Sequence, residues 1–185
     1  MTAPTDFIRP EIKNMTAYHV TDVPENFIKL DAMESPYHPF ARSPALLAQS
    51  PVNRYPNPAS CGLQPALRKA FGIPQAAQIA LGNGSDELIQ FLTMLVAKPG
   101  ATVLAAEPSF VMYRHNALLY GMNYVGVPLR EDFSLDLPAM LQAVETHNPA
   151  LVFIAYPNNP TGVCFKREEV EAIIRAAKGI EVVDE

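Results

Sequence analysis

Short apolar runs alternate with amphipathic helical segments along this chain, from about Leu63 to the last residue. Each run is short enough for one strand, and residues 151–155 are apolar throughout, as in a strand covered on both faces. Repeated β–α–β units of this kind build a mostly parallel, doubly wound sheet between two helical layers. We therefore predict an α/β three-layer sandwich with strands at residues 79–81, 102–106, 124–127, 151–155 and 181–183.

The segments between these runs carry the apolar stripes and end signals of helices. We predict helices at residues 63–71, 85–97 and 109–120, the last of them N-capped by Ser109. A further helix is expected to follow the N-cap residue Asp136. The last helix is indicated by the apolar stripe of Val170, Ile173, Ile174 and Ala177.

The first 60 residues have a different composition, since they contain nine of the 18 prolines. Proline fixes φ and removes a hydrogen-bond donor, so we predict an extended arm with turns and one short strand at residues 28–31. Such an arm cannot bury its own apolar side chains, and we expect it to cross another domain or subunit. We divide the chain into this arm, residues 1–60, and the α/β domain, residues 61–185.

The composition excludes several classes of protein. An apolar fraction of 49% and a charged fraction of 18% are typical of a globular chain. The net charge of −5 argues against a nucleic-acid surface, which usually needs a basic patch. No apolar stretch is long enough to span a membrane, and the N-terminus lacks a hydrophobic signal core. We therefore expect a cytoplasmic protein that binds neither nucleic acid nor membrane.

Metal and redox sites are not indicated either. The four histidines show no spacing typical of a metal site, so we predict no metal. The two cysteines, Cys61 and Cys164, match no zinc or redox spacing. We expect both to be small buried thiols.

A glycine-rich turn lies between the first predicted strand and the helix that follows it. The segment Gly-Asn-Gly-Ser-Asp-Glu at 82–87 permits a tight turn, and the amides of Gly84, Ser85 and Asp86 would point out of the helix N-terminus. A helix N-terminus favours an anion, so these three residues are candidates for binding a phosphate. The segment is equally compatible with a plain helix cap, because its acidic residues match the helix dipole.

Three further side chains are predicted at the ends of strands. Asn159, in Asn-Asn-Pro-Thr-Gly at 158–162, offers an amide donor for a phenolate-like oxygen, although such a segment is also typical of a β-turn. Asp184, at the end of the last run, is a candidate partner for a protonated ring nitrogen. Phe110 could stack on a planar ring or simply pack in the core.

Together these features predict one cofactor site. Ligands of open α/β sheets bind outside the carboxyl ends of the strands, where all four features fall. They describe a phosphorylated, aromatic, nitrogen-containing molecule, and pyridoxal phosphate fits all four contacts. An acid beside its pyridine nitrogen keeps the ring protonated and makes it an electron sink.

The same motifs resemble those of a known family, the fold-type I pyridoxal-phosphate aminotransferases. They are Arg-Tyr-Pro at 54–56, the segments at 82–87 and 158–162, Glu-Pro-Ser-Phe at 107–110 and Val-Asp-Glu at 183–185. The chain is similar to the N-terminal half of these enzymes over nearly its whole length. The glycine-rich segment resembles most closely the branch that acts on histidinol phosphate.

The resemblance implies roles for individual residues. Gly84, Ser85 and Asp86 resemble the phosphate-binding turn, and Phe110 stands where the family's ring-stacking residue, often a tyrosine, is found. Asn159 and Asp184 resemble the residues that bind the phenolic oxygen and the pyridine nitrogen. Tyr55 resembles a tyrosine that reaches the cofactor of the other subunit, which implies a homodimer. Residues 1–60 would then include part of the small domain, and residues 61–185 part of the large domain.

The resemblance also implies an activity that this stretch of chain lacks. The family's Schiff-base lysine would lie beyond Glu185, so we expect a fragment of a longer enzyme that is inactive alone. The expected reaction exchanges an amino group between glutamate and imidazole-acetol phosphate in histidine biosynthesis. Alternatives are an aminotransferase for aromatic or other amino acids, a decarboxylase acting on threonine phosphate, and a non-catalytic pyridoxal-phosphate-binding domain of a regulator.

Overall fold

A computed structural model describes residues 8–16, 24, 26–28, 37, 53–55 and 62–185, and the structural statements below concern these residues. The chain divides into two compact units, one formed by Met1–Met15 with Leu81–Glu185 and the other by Thr16–Ala80. The predicted strand at 28–31 and Cys61 lie largely or wholly outside the described residues. The division at residues 60 and 61 into an arm and an α/β domain stays a prediction.

The helices and strands follow one another in the predicted alternation. The helices are α1 Pro10–Lys13, α2 Leu63–Phe71, α3 Ser85–Val96, α4 Val111–Leu119, α5 Leu137–His147 and α6 Arg167–Ala176. The strands are β1 Thr102–Glu107, β2 Asn123–Pro128, β3 Leu151–Ala155 and β4 Ile180–Asp184. None of the helices in the described part of the chain combines the length and apolar character that a membrane crossing requires.

The unit formed by Thr16–Ala80 contains α2. This helix ends at Gly72, which has a left-handed φ of 63° that glycine adopts without steric cost. Beyond the helix, the Arg68 guanidinium donates hydrogen bonds of 2.7 Å to the carbonyl oxygens of Pro74 and Ala77. These bonds hold the segment after α2 against the helix. The predicted helix at residues 63–71 is confirmed.

The larger unit is built on a four-stranded sheet with the order β2-β1-β3-β4. All three strand pairings are parallel. Parallel neighbours need crossover connections, and α4, α5 and α6 supply them. The predicted doubly wound α/β fold is confirmed, as part of a domain.

Side chains of β1 and β3 point alternately into two cores, one on each face of the sheet. On one face, Leu104 and Val152 pack with residues of α5 and α6, including Met140 and Ile173. On the other face, Val103 and Phe153 pack with residues of α3 and α4, namely Ile89, Tyr113 and Ala117. Every residue of β3 is buried, which is why its sequence is apolar without alternation.

One predicted helix cap is confirmed and another is wrong. The carboxylate of Asp136 accepts a hydrogen bond of 3.1 Å from the backbone N–H of Ala139, as an N-cap should. Ser109 does not cap α4, which begins at Val111 after the N-cap residue Phe110. The Ser109 hydroxyl instead donates to the side-chain oxygen of Asn158, 3.3 Å away. A bond across the sheet edge has replaced the local one.

Two further expectations are wrong. Residues 79–81 do not form a strand, because a strand needs a hydrogen-bonded neighbour and neither edge of the four-stranded sheet pairs with them. Cys164 is exposed rather than buried, since it lies in the connection between β3 and α6 and not in either core.

Gly179 generates the first prediction, because it precedes β4 where the chain comes close to β3. A Cβ atom at this position would collide with the carbonyl oxygen of Pro149 and lie 2.6 Å from that of Ala150. Both are backbone atoms of a sheet connection and cannot rotate away. We expect Gly179→Ala to lower the free energy of unfolding by about 1–3 kcal/mol, measured by urea denaturation.

The matched control is Gly62→Ala, where the added Cβ meets no described atom within 4 Å. Its effect should stay within about 0.5 kcal/mol. Equal stabilities of the two variants would contradict the close approach of β4 to the β3 connection.

Candidate active site

The site lies at the point where the order of strands reverses. From β1 the chain crosses to β2 on one side, and it later returns to β3 on the other side of β1. The connection after β1 leads to the core shared by α3 and α4, whereas the connection after β3 leads to the opposite face. The carboxyl ends of β1 and β3 therefore open a crevice of the type in which doubly wound proteins bind ligands.

Asn158 joins the two connections across this crevice. Its side chain is 2% exposed and donates to the carbonyl oxygen of Pro108 at 3.1 Å and to the hydroxyl of Thr161 at 2.9 Å. Its side-chain oxygen accepts the hydrogen bond from Ser109. Its backbone N–H donates to Val163, and its carbonyl accepts from Gly162. All the polar atoms of this buried residue therefore have partners, and it holds the loop in one conformation.

Asn159 differs from its neighbour in being exposed. The turn that Asn158 closes leaves the next amide side chain in solvent at the carboxyl end of β3. The sequence analysis predicted Asn159 as the ligand-binding residue and missed Asn158. The exposure of Asn159 leaves it available to a ligand.

Asp184 ends β4 beside the end of β3, opposite Ala155 in the strand register. Its carbonyl oxygen accepts a hydrogen bond of 2.8 Å from the backbone N–H of Tyr156. Its carboxylate accepts a hydrogen bond of 2.6 Å from the hydroxyl of Tyr113. Backbone and side chain of Asp184 are thus both fixed at the carboxyl edge of the sheet, as its predicted position requires.

Tyr113 lies between two other aromatic rings. It stacks on Phe153 with a centroid distance of 4.3 Å and a tilt of 3°, and it meets Phe110 edge-on at 5.7 Å and 86°. Tyr113 is fully buried, while Phe110 is partly exposed. Burial, the hydrogen bond to Asp184 and the negative charge of that carboxylate raise the pKa of Tyr113 far above its ordinary value. The hydroxyl therefore stays protonated and acts as a donor.

These contacts connect Phe110, Tyr113, Asp184 and Asn158 around the crevice. Phe110 touches Tyr113, which binds Asp184, and Asp184 is tied to the β3 connection that contains Asn158. Asn158 returns to the residues just before Phe110. The structure thus links Phe110 and Asp184 through Tyr113, and Asn159 directly follows Asn158 in the connection after β3.

The glycine-rich turn lies at the N-terminus of α3. Only five residues separate the end of α3 from the start of β1, so the helix must run antiparallel to the strand. With a length of about 18 Å against about 20 Å for β1, its N-terminus comes to the level of the carboxyl edge. Gly84, Ser85 and Asp86 are exposed there.

Glu87 closes this turn from within the helix. Its carboxylate accepts a hydrogen bond of 2.6 Å from the backbone N–H of Asn83. Gly84 has a φ of 83°, which a residue with a side chain adopts at a cost, although no described atom lies where its Cβ would be. The first N–H groups of α3 have no partner within the helix and are therefore available to an anion.

An ion pair and a tyrosine lie beside β1 on the side of β2. Glu107 lies 3.7 Å from the guanidinium of Arg114, which is 5.9 Å from the ring centre of Tyr124. Burial and the negative charge of Glu107 raise the pKa of Tyr124 to about 12, against the opposing effect of Arg114. These groups lie on the outer side of β1, away from Asp184.

A cavity of about 410 Å³ lies at the opposite edge of the sheet. It is lined by residues at the amino ends of β1 and β3, with Lys98, His147 and Lys178 among them. Ligands of doubly wound sheets bind at the carboxyl edge, so this cavity is not the predicted site. Tyr55, which belongs to the other unit, is fully exposed.

Comparison with protein-family models identifies the family. Residues 19–185 match the model of the class I and II aminotransferases. The chain belongs to this family. The resemblance inferred from the sequence motifs is therefore confirmed.

Individual relatives in the aminotransferase family are closely similar in sequence. The histidinol-phosphate aminotransferase of Neisseria gonorrhoeae is 65% identical over 192 residues, covering 100% of this chain and 54% of the relative. That of Chromobacterium violaceum is 58% identical, over 96% of this chain and 51% of the relative. The chain thus spans about half the length of the curated relatives it matches.

Solved aminotransferase structures share the fold. The histidinol-phosphate aminotransferase of Sinorhizobium meliloti, solved in complex with pyridoxal-5'-phosphate, superposes with a TM-score of 0.65 at 32% identity. The match covers 71% of this chain and 36% of that one. N-Succinyldiaminopimelate aminotransferase of Mycobacterium tuberculosis matches with a TM-score of 0.63 at 30% identity, over 72% of this chain and 38% of that one.

The two adjacent asparagines of this aminotransferase chain give the second prediction. Asn158→Ala would remove the partner of the Pro108 carbonyl and of two partly buried hydroxyl groups, so we expect it to lower the free energy of unfolding by about 2–3 kcal/mol. Asn159→Ala, the matched control one residue away, should change it by less than about 0.5 kcal/mol because the side chain is exposed. Urea denaturation monitored by circular dichroism measures both. Similar decreases in the free energy of unfolding for the two variants would contradict a structural role for Asn158 that Asn159 does not share.

Proposed function

We propose that the whole protein is a pyridoxal-phosphate-dependent histidinol-phosphate aminotransferase. It exchanges an amino group between glutamate and imidazole-acetol phosphate in histidine biosynthesis, and it acts in the cytoplasm. The observation that carries the proposal is the carboxylate of Asp184, held by Tyr113 at the carboxyl edge of the sheet. The 65% identity to the enzyme of Neisseria gonorrhoeae supports this choice of substrate.

The residues around the crevice fit pyridoxal phosphate in their chemistry. Asp184 provides an acceptor for a protonated ring nitrogen, and the partly exposed Phe110 provides an aromatic face. The exposed amide of Asn159 can donate to the phenolic oxygen. The free N–H groups at the start of α3 suit the phosphate.

Asp86 does not oppose this fit. A carboxylate at the phosphate-binding turn would repel the anion if it pointed inward. Asp86 is exposed, and its charge is therefore screened by water. The neighbouring acid, Glu87, is engaged with the backbone of Asn83. In the proposed site Gly84, Ser85 and Asp86 contribute their backbone amides.

The residues around the crevice would bind and orient the cofactor in the reaction. Bound pyridoxal phosphate supplies a carbonyl carbon and a conjugated ring that accepts electrons. Asp184 would favour a proton on the ring nitrogen, because a negative charge nearby stabilises the protonated form. Phe110 would offer an aromatic surface to the ring, and Asn159 would donate to its phenolic oxygen.

We place the Schiff-base lysine outside this stretch of chain. Two candidates, Lys98 and Lys178, line the cavity at the opposite edge of the sheet. Lys166 is the N-cap residue of α6 and points its amine to within 3.8 Å of Glu169. Lys98 and Lys178 thus lie away from the crevice, and Lys166 is engaged with an acid. In this proposal the lysine is supplied by further residues of the whole protein.

The substrate assignment gives the third prediction. We expect the full-length protein, loaded with pyridoxal phosphate, to react with histidinol phosphate at least about tenfold faster than with phenylalanine, because a site built for a polar, charged substrate rejects an apolar one. Single-turnover changes in cofactor absorbance measure both rates, with glutamate as the common amino donor for comparison. A faster reaction with phenylalanine would indicate an aromatic aminotransferase. A protein that binds the cofactor but reacts with none of the three would be a non-catalytic binding domain.

We also propose that the enzyme is a homodimer in which Tyr55 reaches the cofactor phosphate of the other subunit. Tyr55 is not part of a hydrophobic core, since its side chain is fully exposed in its own unit. A large exposed aromatic side chain with a hydroxyl is suited to an interface. This proposal is separate from the substrate assignment.

Mixed dimers give the fourth prediction. Tyr55→Phe and Asp184→Asn would each impair a site, but a dimer of one subunit of each has one site with both native residues. The two variants are mixed at a cofactor concentration at which neither is active alone, and their folded subunits are allowed to exchange. We expect about a quarter of the native activity to return, because half of the dimers are then mixed and half of the sites in mixed dimers are intact. A mixture of Tyr55→Phe with Tyr55→Phe, Asp184→Asn is the control and should stay inactive. Failure of the first mixture to recover activity would place Tyr55 in the site of its own subunit or outside any site.

A further inference from the structure

The Tyr113 hydroxyl is a polar group on a side chain that is otherwise part of an apolar core. Tyr113 is 0% exposed, and its ring lies in the apolar cluster of α3 and α4. A buried hydroxyl costs free energy unless it finds a partner, and phenylalanine would fill the same space without that cost. Its partner is the carboxylate of Asp184, 71 residues away in sequence.

We propose that Tyr113 is a positioning residue, which fixes the carboxylate of Asp184 in the orientation that receives the cofactor's ring nitrogen. The inference rests on the proposed function, since it assigns a task toward the same cofactor. Tyr113 would act through Asp184 and would not itself touch the cofactor.

The geometry leaves the hydroxyl one position. Stacking on Phe153 and the edge contact with Phe110 restrict the ring on two sides. The carboxylate of an aspartate has a broad range of χ2 angles unless a hydrogen bond restricts it. The hydrogen bond of 2.6 Å removes this freedom by occupying one carboxylate oxygen, Oδ2. The second oxygen then has a defined direction.

The direction of the hydrogen bond is fixed as well. The pKa of Tyr113 lies far above the ordinary value for tyrosine, so the hydroxyl keeps its proton and donates it. Its proton is directed at Oδ2 of Asp184. The other carboxylate oxygen is then left to face the ring nitrogen, which is the task that the proposed function requires.

Phe110 and Tyr113 also belong to the same short stretch of chain. Phe110 is the N-cap residue of α4 and Tyr113 lies in its first turn, three positions later. The side chain that covers the ring and the side chain that orients the nitrogen partner are thus set by one helix start. Asn158, through Ser109 and Pro108, fixes where that helix begins.

A double-mutant cycle in the full-length protein tests this inference and gives the fifth prediction. We expect Tyr113→Phe, which keeps the stacked ring, to raise the dissociation constant of pyridoxal phosphate about tenfold, measured by fluorescence titration. It should also shift the pH midpoint of the bound cofactor's visible absorbance by at least about half a unit. In the Asp184→Asn background the same substitution should change the dissociation constant by less than about twofold, because its target is gone.

The matched control is Tyr120→Phe. Tyr120 lies at the other end of α4, and its hydroxyl accepts a hydrogen bond of 3.0 Å from Gln90. Its loss should leave both the dissociation constant and the absorbance midpoint at native values. Unfolding curves of all variants establish that each is folded.

The outcomes separate the inference from the proposed function. If Tyr113→Phe weakens cofactor binding equally with and without Asp184, Tyr113 acts by packing and the inference is overturned. Native affinity and an unshifted midpoint in Tyr113→Phe would overturn it as well. If the native full-length protein binds no pyridoxal phosphate, the proposed function itself fails, and the inference fails with it.

Discussion

The parallel pairing of β1 with β3 is the constraint on which the rest of this structure depends. Both strands lie in the middle of the sheet, and most of their residues are buried from both faces. Because neighbouring parallel strands need a helix to connect them, this pairing forces the helices into two layers. It also forces the connections after β1 and β3 to part in opposite directions. The crevice is therefore a consequence of strand order and not of any one side chain.

Two adjacent asparagines have different tasks in the loop that borders this crevice. All the polar atoms of the Asn158 side chain form hydrogen bonds within the protein. The Asn159 side chain is exposed and takes part in none of the described hydrogen bonds. The first makes the loop rigid, and the rigid loop presents the second. A site on a loop gains precision when its neighbour in sequence is a structural residue. The exposed glycine-rich turn at the start of α3 is fixed in a similar way, by Glu87.

Much of the fold could be predicted from the sequence, because local patterns carry it. The unbroken apolar run of β3 and the cap at Asp136 each follow from interactions within a few residues, and both are confirmed. The strand expected at residues 79–81 is absent from the sheet, because strand formation depends on a neighbour that a local pattern cannot reveal. Ser109 was assigned to a local cap for the same reason, while its partner lies 49 residues away.

The site was foreseen in part. The positions of Phe110 and Asp184 follow from the rule for strand ends, but the side chain of Tyr113, which contacts both, does not. Tyr113 reads as one more aromatic residue of a helix stripe, and only its spacing of three from Phe110 indicates that the two share a helix face. The hydrogen bond to Asp184 depends on how α4 packs against β3, which is a property of the whole unit.

β4 forms one edge of the described sheet and also carries Asp184. An edge strand has a row of backbone donors and acceptors that point outward, and pairing with another segment fixes its twist and register. Side chains on such a strand inherit that alignment. A segment that pairs with the outer side of β4 would therefore change the position of the Asp184 carboxylate through the backbone, without contacting the carboxylate itself. The position of Asp184 at the crevice therefore depends on the backbone pairing of β4 as well as on the side chains around it.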